Sequence, residues 1–453
     1  MALTSITITP QFGNSTVTQI NCGTSVPRLS GTIDLSAFSN LQRFTCTSND
    51  ITAVTGYENN SNLVSFVVSN NKLTGSIPAL SAFTNITTLQ YNSNLLTGPI
   101  PALSALKQCE ILSFSNNQLT GPIPSLSGLT DLLFFYCQDQ TGAKLTGPIP
   151  ELSGSPLLRQ FWCFGNNLSG PIPQLSSLRN LTEFKCESNQ LTGSIPALSG
   201  LRFLQTFACN DNLLTGSMPA LSATTNLRNF YCAFNQLTGP LPSLSGLTKL
   251  LVFHAGNNGF TGSIPVLSGC PLLNDFRAPD CQLTSFAGGS VPNTLQNFQA
   301  QSNQLNQSAV DAILSAFDAT TITTGTRNLS LQGSSNAAPS YTGGVTTTSA
   351  GTNFSRSGTL VTANVTGHGH PIGSLVTISG ITETAFQGTF AITVVNANQF
   401  RYTTQTSGTI TAGSGTATMR RTTVATDGFK YYQNLALVTR LGGFPWNVNI
   451  VFP

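Results

Sequence analysis

Charged residues are what this sequence has least of. Only 8% of its 453 residues are Asp, Glu, Lys or Arg, whereas about a quarter are charged in an average soluble protein. The formal net charge is +3, and the few basic residues form no cluster, which argues against a nucleic-acid partner. Asn, Ser, Thr and Gln supply the polar surface instead. Such a surface suits a protein that faces the environment or packs into an assembly.

Long apolar runs are also missing. No window reaches the roughly 18 apolar residues that a membrane helix needs, so no membrane insertion is expected. Residues 1–10 (MALTSITITP) have neither the basic nor the apolar region of a signal peptide. Export by the ordinary secretory route is therefore not expected, and release by lysis, as virion proteins leave a cell, is one alternative.

Signatures of common enzymes and metal sites are absent too. There is no G-x-S-x-G, H-E-x-x-H or P-loop. Glu183 and Glu187 could form an acid pair for glycoside cleavage, but exposed carboxylates beside Lys185 more often form a surface cluster. His368 and His370 have no Cys or acidic partner nearby, which favours a turn over a metal site. We predict a non-enzymatic protein with no catalytic residue, no metal and no cofactor.

One sequence motif, here called the phrase, repeats along the chain and defines its organisation. It stands at residues 191–201 as LTGSIPALSGL. Successive glycines of the phrase are 23 residues apart, except for the interval between Gly121 and Gly147, which is 26. A fixed period of this size predicts a solenoid in which each repeat stacks on the next. The glycines are Gly75, Gly98, Gly121, Gly147, Gly170, Gly193, Gly216, Gly239 and Gly262.

Each repeat has the same inward-facing residues. The positions 11, 14 and 16 after the glycine are apolar, as in Leu181, Phe184 and Cys186, and the spacing of two between the last pair is that of a strand. Asn189 follows three residues later and recurs in other repeats, where an inward asparagine can hydrogen-bond the backbone of neighbouring turns. This asparagine is missing after Cys137, where the three extra residues fall.

Ten cysteines do not predict disulfides here. Neighbouring strands are about 4.8 Å apart, but side chains that stand in parallel have poor bridge geometry. Zinc binding lacks its local pairs of ligands. We expect a column of buried free thiols that act as small apolar side chains. Five share one repeat position: Cys137, Cys163, Cys186, Cys209 and Cys232.

The pattern L-x-x-L-x-x-F-x-C-x-x-N-x-L-T-G-x-I-P resembles the leucine-rich repeat, in the subclass common in plant receptors. The resemblance covers roughly residues 20–335. It implies a curved solenoid with a parallel β-sheet on its concave face and a mostly irregular convex side. It does not specify a ligand, because that family binds peptides, proteins and glycans. The plant receptors' signal peptide, paired cap cysteines and membrane span are missing from this sequence.

The C-terminal part follows other patterns. Apolar residues at 310, 313, 314 and 317 predict a helix with Ser308 as its N-cap. Residues 332–353 have the composition of a linker, and four or five short strands follow as a small β-barrel or sandwich. Residues 367–394, with GHGHPIGSLVTISG and GTFAITV, resemble small β modules of tailed-phage virion proteins.

The end of the chain resembles the closing turn of bacterial and viral leucine-rich arrays. A helix at 431–440, a glycine pair and the strand WNVNIV at 446–451 carry this resemblance. We therefore predict that the β module is inserted in the last repeat. The parts are an N-terminal cap at 1–30, the solenoid at 31–340, the inserted all-β module with its linkers at 341–425, and a capping helix and strand at 426–453 that complete the solenoid.

The outward strand positions decide what the concave face presents. Aromatic residues concentrate there on two adjacent turns, as in binding patches. The same rings could instead pack against one another across strands, or against another virion subunit. The ligand-binding candidates are Phe134, Tyr136, Trp162, Phe164, Lys185, Tyr231, His254 and Arg277.

Together these features predict a non-enzymatic virion surface protein of a tailed bacteriophage, in the tail fibre or as a capsid decoration. Its partners would be a host receptor or glycan and other virion proteins, and a homo-oligomer or many copies per particle would add avidity. A purely structural virion role and a cellular extracellular adhesin are the alternatives. Mass spectrometry of purified particles separates virus from cell.

Overall fold

The computed structural model describes residues 17–23, 28–318 and 328–331, together with the backbone of the strands between 347 and 449 that are named below. The chain divides into two units, Met1–Phe260 and Thr261–Pro453. The predicted cap residues 1–16, the residues His368 and His370 and the predicted helix at 431–440 lie outside the described residues.

The first unit is a parallel β-solenoid, as the repeat predicts. Every turn contributes one three-residue strand to a parallel sheet, and strands of consecutive turns are direct neighbours. The segment at Ile20, which resembles a degenerate repeat, forms the first of these strands and pairs with Phe44. The strands are Gln19–Asn21, Arg43–Thr45, Ser65–Val67, Thr88–Gln90, Ile111–Ser113, Phe134–Tyr136, Gln160–Trp162, Glu183–Lys185, Thr206–Ala208, Asn229–Tyr231 and Val252–His254.

The middle residue of each strand points into the solenoid. From Phe135 to Phe253 this residue is a fully buried phenylalanine, and each ring stacks on the ring of the next turn. The ring centroids of Phe161 and Phe184 are 5.6 Å apart with the planes inclined by 13°. Offset stacking of this kind adds about 0.5–1.5 kcal/mol per pair beyond the area buried. The phenylalanine column therefore forms the core beside the sheet.

A second row of short parallel strands is present in addition to the sheet that the resemblance implies. The LTG part of the phrase is extended and pairs with the following turn, where the repeat glycine lies opposite the leucine of the next LTG, as Gly121 does opposite Leu145 and Gly170 opposite Leu191. Gly193 has φ = +74° there, a conformation that residues with a side chain rarely adopt. The strands are Ser30–Asp34, Asp50–Thr55, Thr74–Ser76, Leu95–Pro99, Gln118–Pro122, Leu145–Gly147, Asn167–Pro171, Gln190–Thr192, Thr215–Ser217 and Gln236–Pro240.

The predicted hydrogen bonds of the recurring inward asparagine are confirmed, and we refer to the row of these residues as the asparagine ladder. Asn117 donates from Nδ2 to the carbonyl oxygens of Tyr91, 3.1 Å away on the preceding turn, and of Phe114, 3.1 Å away on its own turn. Its Oδ1 accepts from the backbone N–H of Leu96 at 3.1 Å. Asn189 repeats the three contacts on its own neighbours. Each ladder residue thus satisfies buried backbone groups that no strand can pair.

The apparent gap in the ladder is filled by a glutamine. Gln140 donates from Nε2 to the carbonyl oxygens of Phe114 at 3.0 Å and Cys137 at 3.1 Å. Its Oε1 accepts from the N–H of Leu119 at 3.0 Å. The extra methylene of Gln lets the same amide reach the same groups from the longer turn, so the insertion does not interrupt the ladder.

The cysteines are free thiols, as predicted. Nine of them are buried and Cys22 is half-buried. Cys163 and Cys186 lie directly beneath consecutive strands, and burial raises the pKa of both thiols well above its usual range. They act as small apolar side chains of the interior.

The second unit also contains parallel strands. Asp275–Arg277, Asn297–Gln299, Asn328–Ser330 and Asn447–Asn449 pair in this order. Strand Gly259–Ile264 pairs through residues 261–264 with Gln282–Phe286.

The helix of the second unit begins two residues earlier than its predicted cap implies. It spans Gln307–Asp318, and Asn306 rather than Ser308 caps it, since Asn306 Oδ1 accepts from the N–H of Ala309 at 2.8 Å. The ring of Phe317 packs edge-on against Phe298 with the centroids 5.3 Å apart.

A seven-stranded antiparallel sheet lies in the same unit. Its first and last strands pair with each other and were not among the predicted strands, so there are seven strands where four or five were expected. Residues 331–446 separate two neighbours of the parallel row, Asn328–Ser330 and Asn447–Asn449. The strands are Thr347–Ser357, Leu360–Asn364, Leu375–Ser379, Gly388–Ala391, Thr393–Asn396, Gln399–Thr403 and Ile410–Arg421.

The ladder makes a direct prediction about stability. Asn117→Ala leaves the carbonyl of Tyr91 and the N–H of Leu96 without their side-chain partner in the interior, so the free energy of unfolding should fall by about 2–4 kcal/mol. The exposed Asn85, which donates to a single carbonyl, provides the control Asn85→Ala, expected within about 0.5 kcal/mol of the native chain. Urea unfolding followed by circular dichroism measures both. Equal stability of the two variants contradicts a structural role of the ladder.

Candidate functional site

The outward residues of the first sheet form the candidate site. In each three-residue strand the middle side chain is buried and the two flanking side chains point away from the core. Phe134, Tyr136, Trp162 and Phe164 are half-buried on two consecutive turns, and Tyr136 is the direct strand partner of Trp162. We refer to these four residues as the aromatic patch.

The rings of the aromatic patch touch one another in series. The centroids of Phe134 and Tyr136 are 6.2 Å apart, those of Tyr136 and Trp162 are 4.8 Å apart, and those of Trp162 and Phe164 are 6.4 Å apart. The cross-strand ring contact that the sequence left open is therefore present. The patch is a continuous apolar surface rather than four separate side chains.

A polar network fixes one side of the aromatic patch. The hydroxyl of Tyr136 donates to Gln160 Oε1, and Gln160 Nε2 donates to Glu183 Oε1 at 3.3 Å. Glu183 Oε2 lies 2.8 Å from Lys185 Nζ, and that ammonium lies 4.2 Å from the centroid of the Trp162 ring. The attraction of a cation to the ring face adds to the ion pair. The orientation of Trp162 is thus set before any ligand arrives.

The hydroxyl of Tyr136 remains protonated in this network. Burial, and to a smaller extent the negative charge of Glu183, raises the pKa of Tyr136 to about 12. Tyr136 is therefore a hydrogen-bond donor at any physiological pH, which its contact with Gln160 requires.

Three side-chain atoms of the same turns are buried and make no hydrogen bond. They are Trp162 Nε1, Gln138 Oε1 and Glu187 Oε2. Asp139 N–H donates to Phe164 O at 3.0 Å and Gly165 N–H donates to Glu187 O at 3.0 Å, which places Gln138, Phe164 and Glu187 at equivalent positions of consecutive turns. Buried polar atoms are normally paired, and unpaired ones are costly. We refer to Gln138, Trp162, Phe164 and Glu187 as the polar corner.

The pKa of the Glu187 carboxyl group lies near neutral pH. Burial raises its pKa to about 7, and the negative charges of Asp139 and Asp211 act in the same direction. A hydrogen bond from its own backbone N–H and the positive charge of Lys185 oppose this rise. Glu183, not Glu187, holds the ion pair with Lys185, so the charged cluster expected from the sequence is divided into two different environments.

Of the remaining candidates, Tyr231 and His254 belong to the first unit and Arg277 to the second. The rings of Tyr231 and His254 meet edge-on with centroids 5.1 Å apart, and the turn of Ala208 stands between them and Lys185. Arg277 belongs to the second unit, where its Nε and Nη2 donate to both carboxylate oxygens of Asp275 at 2.8 and 2.7 Å. The structure brings Phe134, Tyr136, Trp162, Phe164 and Lys185 together, and it brings Tyr231 and His254 together.

Sequence reasoning missed Gln138, Gln160 and Asp275. They occupy outward positions 13 or 17 residues after the repeat glycine, beside the position from which most candidates were taken. Comparing all three outward positions across the repeats finds them. Neither a metal-binding group of three His, Cys, Asp or Glu side chains nor a helix able to span a membrane occurs in the part of the chain that the structure describes.

Comparisons with known proteins agree with the fold. The family model "Leucine Rich Repeat" matches residues 108–129. Curated protein sequences contain no match to the chain. The crystal structure of a TDR receptor superimposes with a TM-score of 0.54 at 24% identity, over 64% of this chain and 56% of the receptor chain.

Two further solved structures are similar to the same extent. The Arabidopsis receptor kinase HAESA, in complex with the peptide hormone IDA and the co-receptor SERK1, gives a TM-score of 0.54 at 23% identity, over 70% of this chain and 58% of that one. The plant peptide hormone receptor RGFR1 in complex with RGF2 gives 0.53 at 24% identity, over 71% and 61%. The chain spans less than two thirds of each receptor chain. These similarities show the fold: a leucine-rich-repeat solenoid.

The raised pKa of Glu187 predicts how stability depends on pH. Between the ordinary glutamate value of 4.5 and about 7, the folded chain keeps a proton that the unfolded chain has released, so this group makes stability fall as pH rises through that window. Glu187→Gln removes this dependence. Its thermal unfolding midpoint, relative to the native chain, should rise from pH 5 to about pH 7 and then level off toward pH 8.

The exposed Glu151 supplies the matched control. Glu151→Gln should shift the midpoint by the same small amount at every pH. A Glu187→Gln difference that is equally flat across the range contradicts the buried, protonated carboxyl.

Proposed function

We propose that this solenoid is a non-enzymatic binding scaffold and that its ligand contacts the aromatic patch. One observation carries the proposal: four half-buried aromatic rings touch in series on two consecutive turns, and a polar network fixes their orientation. Apolar surface with a few convergent polar groups is the usual composition of a binding site. The interior ladder and phenylalanine column leave these outward residues with no part in the core.

The scaffold favours binding through rigidity. The ring orientations are held by Gln160, Glu183 and Lys185, so a ligand does not have to order them at the moment of binding. HAESA and RGFR1 were solved with peptide ligands, which supports the use of this fold for ligand presentation. Several copies in one assembly would raise a modest affinity by avidity.

The proposed setting is the surface of a tailed-phage virion, as part of a tail fibre or as a capsid decoration. A host receptor or glycan would be the ligand, and other virion proteins would anchor the chain. Support comes from the resemblance of residues 367–394 to virion β modules. The division into 1–30, 31–340, 341–425 and 426–453 belongs to this proposal, and the pairing of Asn447–Asn449 with Asn328–Ser330 supports it.

Two other settings account for the same fold. In a purely structural virion protein, the aromatic patch would pack against another subunit. In a cellular extracellular leucine-rich-repeat protein, the same face would bind a ligand without any particle. Mass spectrometry of purified particles separates the virion settings from the cellular one, and competition of adsorption by the purified chain separates binding from assembly.

Loss of the two central rings tests the proposed function. The double variant Tyr136→Ala, Trp162→Ala should lose at least about tenfold in binding to the target surface, because central aromatic residues carry most of the energy of an interface. The measurement is adsorption of the labelled chain. Phe203, an exposed aromatic residue away from the sheet face, gives the control Phe203→Ala. Unchanged adsorption of the double variant excludes the patch as the binding site.

A further inference from the structure

We propose that Lys185 changes its partner with pH, from Glu183 below neutral pH to Glu187 above it, and that this movement uncovers the ring of Trp162. The inference rests on the proposed function, because Trp162 belongs to the aromatic patch, and it names a regulation of that surface. Three observations support it: two carboxyl groups flank Lys185, these groups differ in their contacts, and the ammonium group of Lys185 covers the ring.

Lys185 stands between two carboxyl groups on the outer face of one turn. The residues that separate it from Glu183 and Glu187 are the buried Phe184 and Cys186, so the three charged side chains point to the same side. Alternate residues of an extended chain are about 6.6 Å apart. The flexible four-carbon stem of lysine spans this distance in either direction, so Lys185 reaches either carboxyl group by changing its rotamer.

The two carboxyl groups have different partners. Glu183 Oε2 lies 2.8 Å from Lys185 Nζ, and Glu183 Oε1 accepts from Gln160 Nε2 at 3.3 Å. Glu187 Oε2, in the polar corner, is buried without a hydrogen-bond partner. Burial without a partner favours the uncharged form of a carboxyl group, so Lys185 pairs with Glu183 while Glu187 keeps its proton.

The groups around Glu187 make its charge change in the neutral range. The negative charges of Asp139 and Asp211 add to the effect of burial, and Lys185 supplies the opposing positive charge. Together they raise the pKa of Glu187 to about 7, so this group loses its proton as pH rises through that value. Three buried thiols also act on Glu187, but burial raises the pKa of each well above its usual range, so they stay uncharged. They are Cys163, Cys186 and Cys209.

Ionised Glu187 competes with Glu183 for the one ammonium group. Glu183 keeps the amide donor of Gln160 when Lys185 leaves, whereas Glu187 Oε2 has no other partner. Pairing Lys185 with Glu187 therefore removes the larger cost of an uncompensated buried charge. In its pairing with Glu183 the ammonium lies 4.2 Å from the centroid of the Trp162 ring, and movement toward Glu187 takes it from that position. The ring is then open to a ligand above neutral pH and covered below it.

The fluorescence emission of Trp162 measures the movement. The sequence has two tryptophans, so Trp446→Phe in the full chain leaves Trp162 as the only indole. An ammonium group on the indole face alters its emission, which should therefore show one transition with a midpoint at about pH 7. In this background Glu187→Gln and Lys185→Met should each abolish the transition. Glu151→Gln, at an exposed position, is the control and should keep it, and circular dichroism verifies that every variant is folded at each pH.

Adsorption of the labelled full chain to the target surface measures the consequence for binding. Native adsorption should be about threefold stronger at pH 8 than at pH 6, which is the size of one cation–ring contact. Glu187→Gln keeps the side chain uncharged, so it should adsorb at both pH values as the native chain does at pH 6.

The outcomes separate this inference from the proposed function. An emission transition that both variants abolish, together with the stronger adsorption at pH 8, supports the inference. Emission that does not change with pH, a transition that persists in either variant, or a native pH dependence of adsorption equal to that of Glu187→Gln overturns it. If any of these occurs while the variant Tyr136→Ala, Trp162→Ala still fails to adsorb, the proposed function stands and only its regulation is wrong.

Discussion

A buried amide side chain joins each regular turn of the first unit to the turn before it, and the rest of the structure depends on this contact. At Asn117 it serves one N–H of the preceding turn and carbonyl groups of two turns. Each of these groups would cost about 1–3 kcal/mol if it were buried without a partner. The stacked phenylalanines beside it, such as Phe161 and Phe184, fill the remaining space. The interior is thus complete without any outward-facing side chain.

Because the interior is complete without them, the outward side chains of the sheet can differ from turn to turn without loss of the fold. The outward residues vary from turn to turn while the inward residues hardly change. On the turns of Phe134 and Trp162 the outward residues are aromatic rings held in place by neighbouring polar side chains. Gln160, Glu183 and Lys185 use their polar groups to hold the rings. Trp162 Nε1, Gln138 Oε1 and Glu187 Oε2 are buried on these turns without a hydrogen-bond partner.

The sequence alone predicts the repeating parts of this fold well, because a feature that recurs in every turn is visible in the spacing. The inward Phe and Cys and the ladder residue Asn189 are such features. Gln140 was missed because a longer amide takes the place of asparagine. The repeat pattern shows only that asparagine is absent there. The second row of strands was missed because Leu-Thr-Gly is a weak strand sequence in isolation. It pairs only because identical segments are stacked.

The candidate site was predicted in part for a related reason. The position of Tyr136 beside Trp162 follows from the period, and so does their exposure. The different environments of Glu183 and Glu187 depend on rotamers and on which carboxylate Lys185 reaches, which spacing does not encode. The unpaired atoms of Gln138 and Trp162 likewise emerge only when every neighbouring side chain has been placed.

Photo-crosslinking from the sheet face tests the central claim, that the ligand lies on the aromatic patch, most directly. Benzoylphenylalanine placed at Phe164 in one sample and at Phe203 in another would be irradiated in the presence of the target surface. The structure predicts a crosslinked adduct from position 164 and none from position 203. Adducts from position 203 alone, or equal yields from both positions, would contradict the assignment of this face as the binding site.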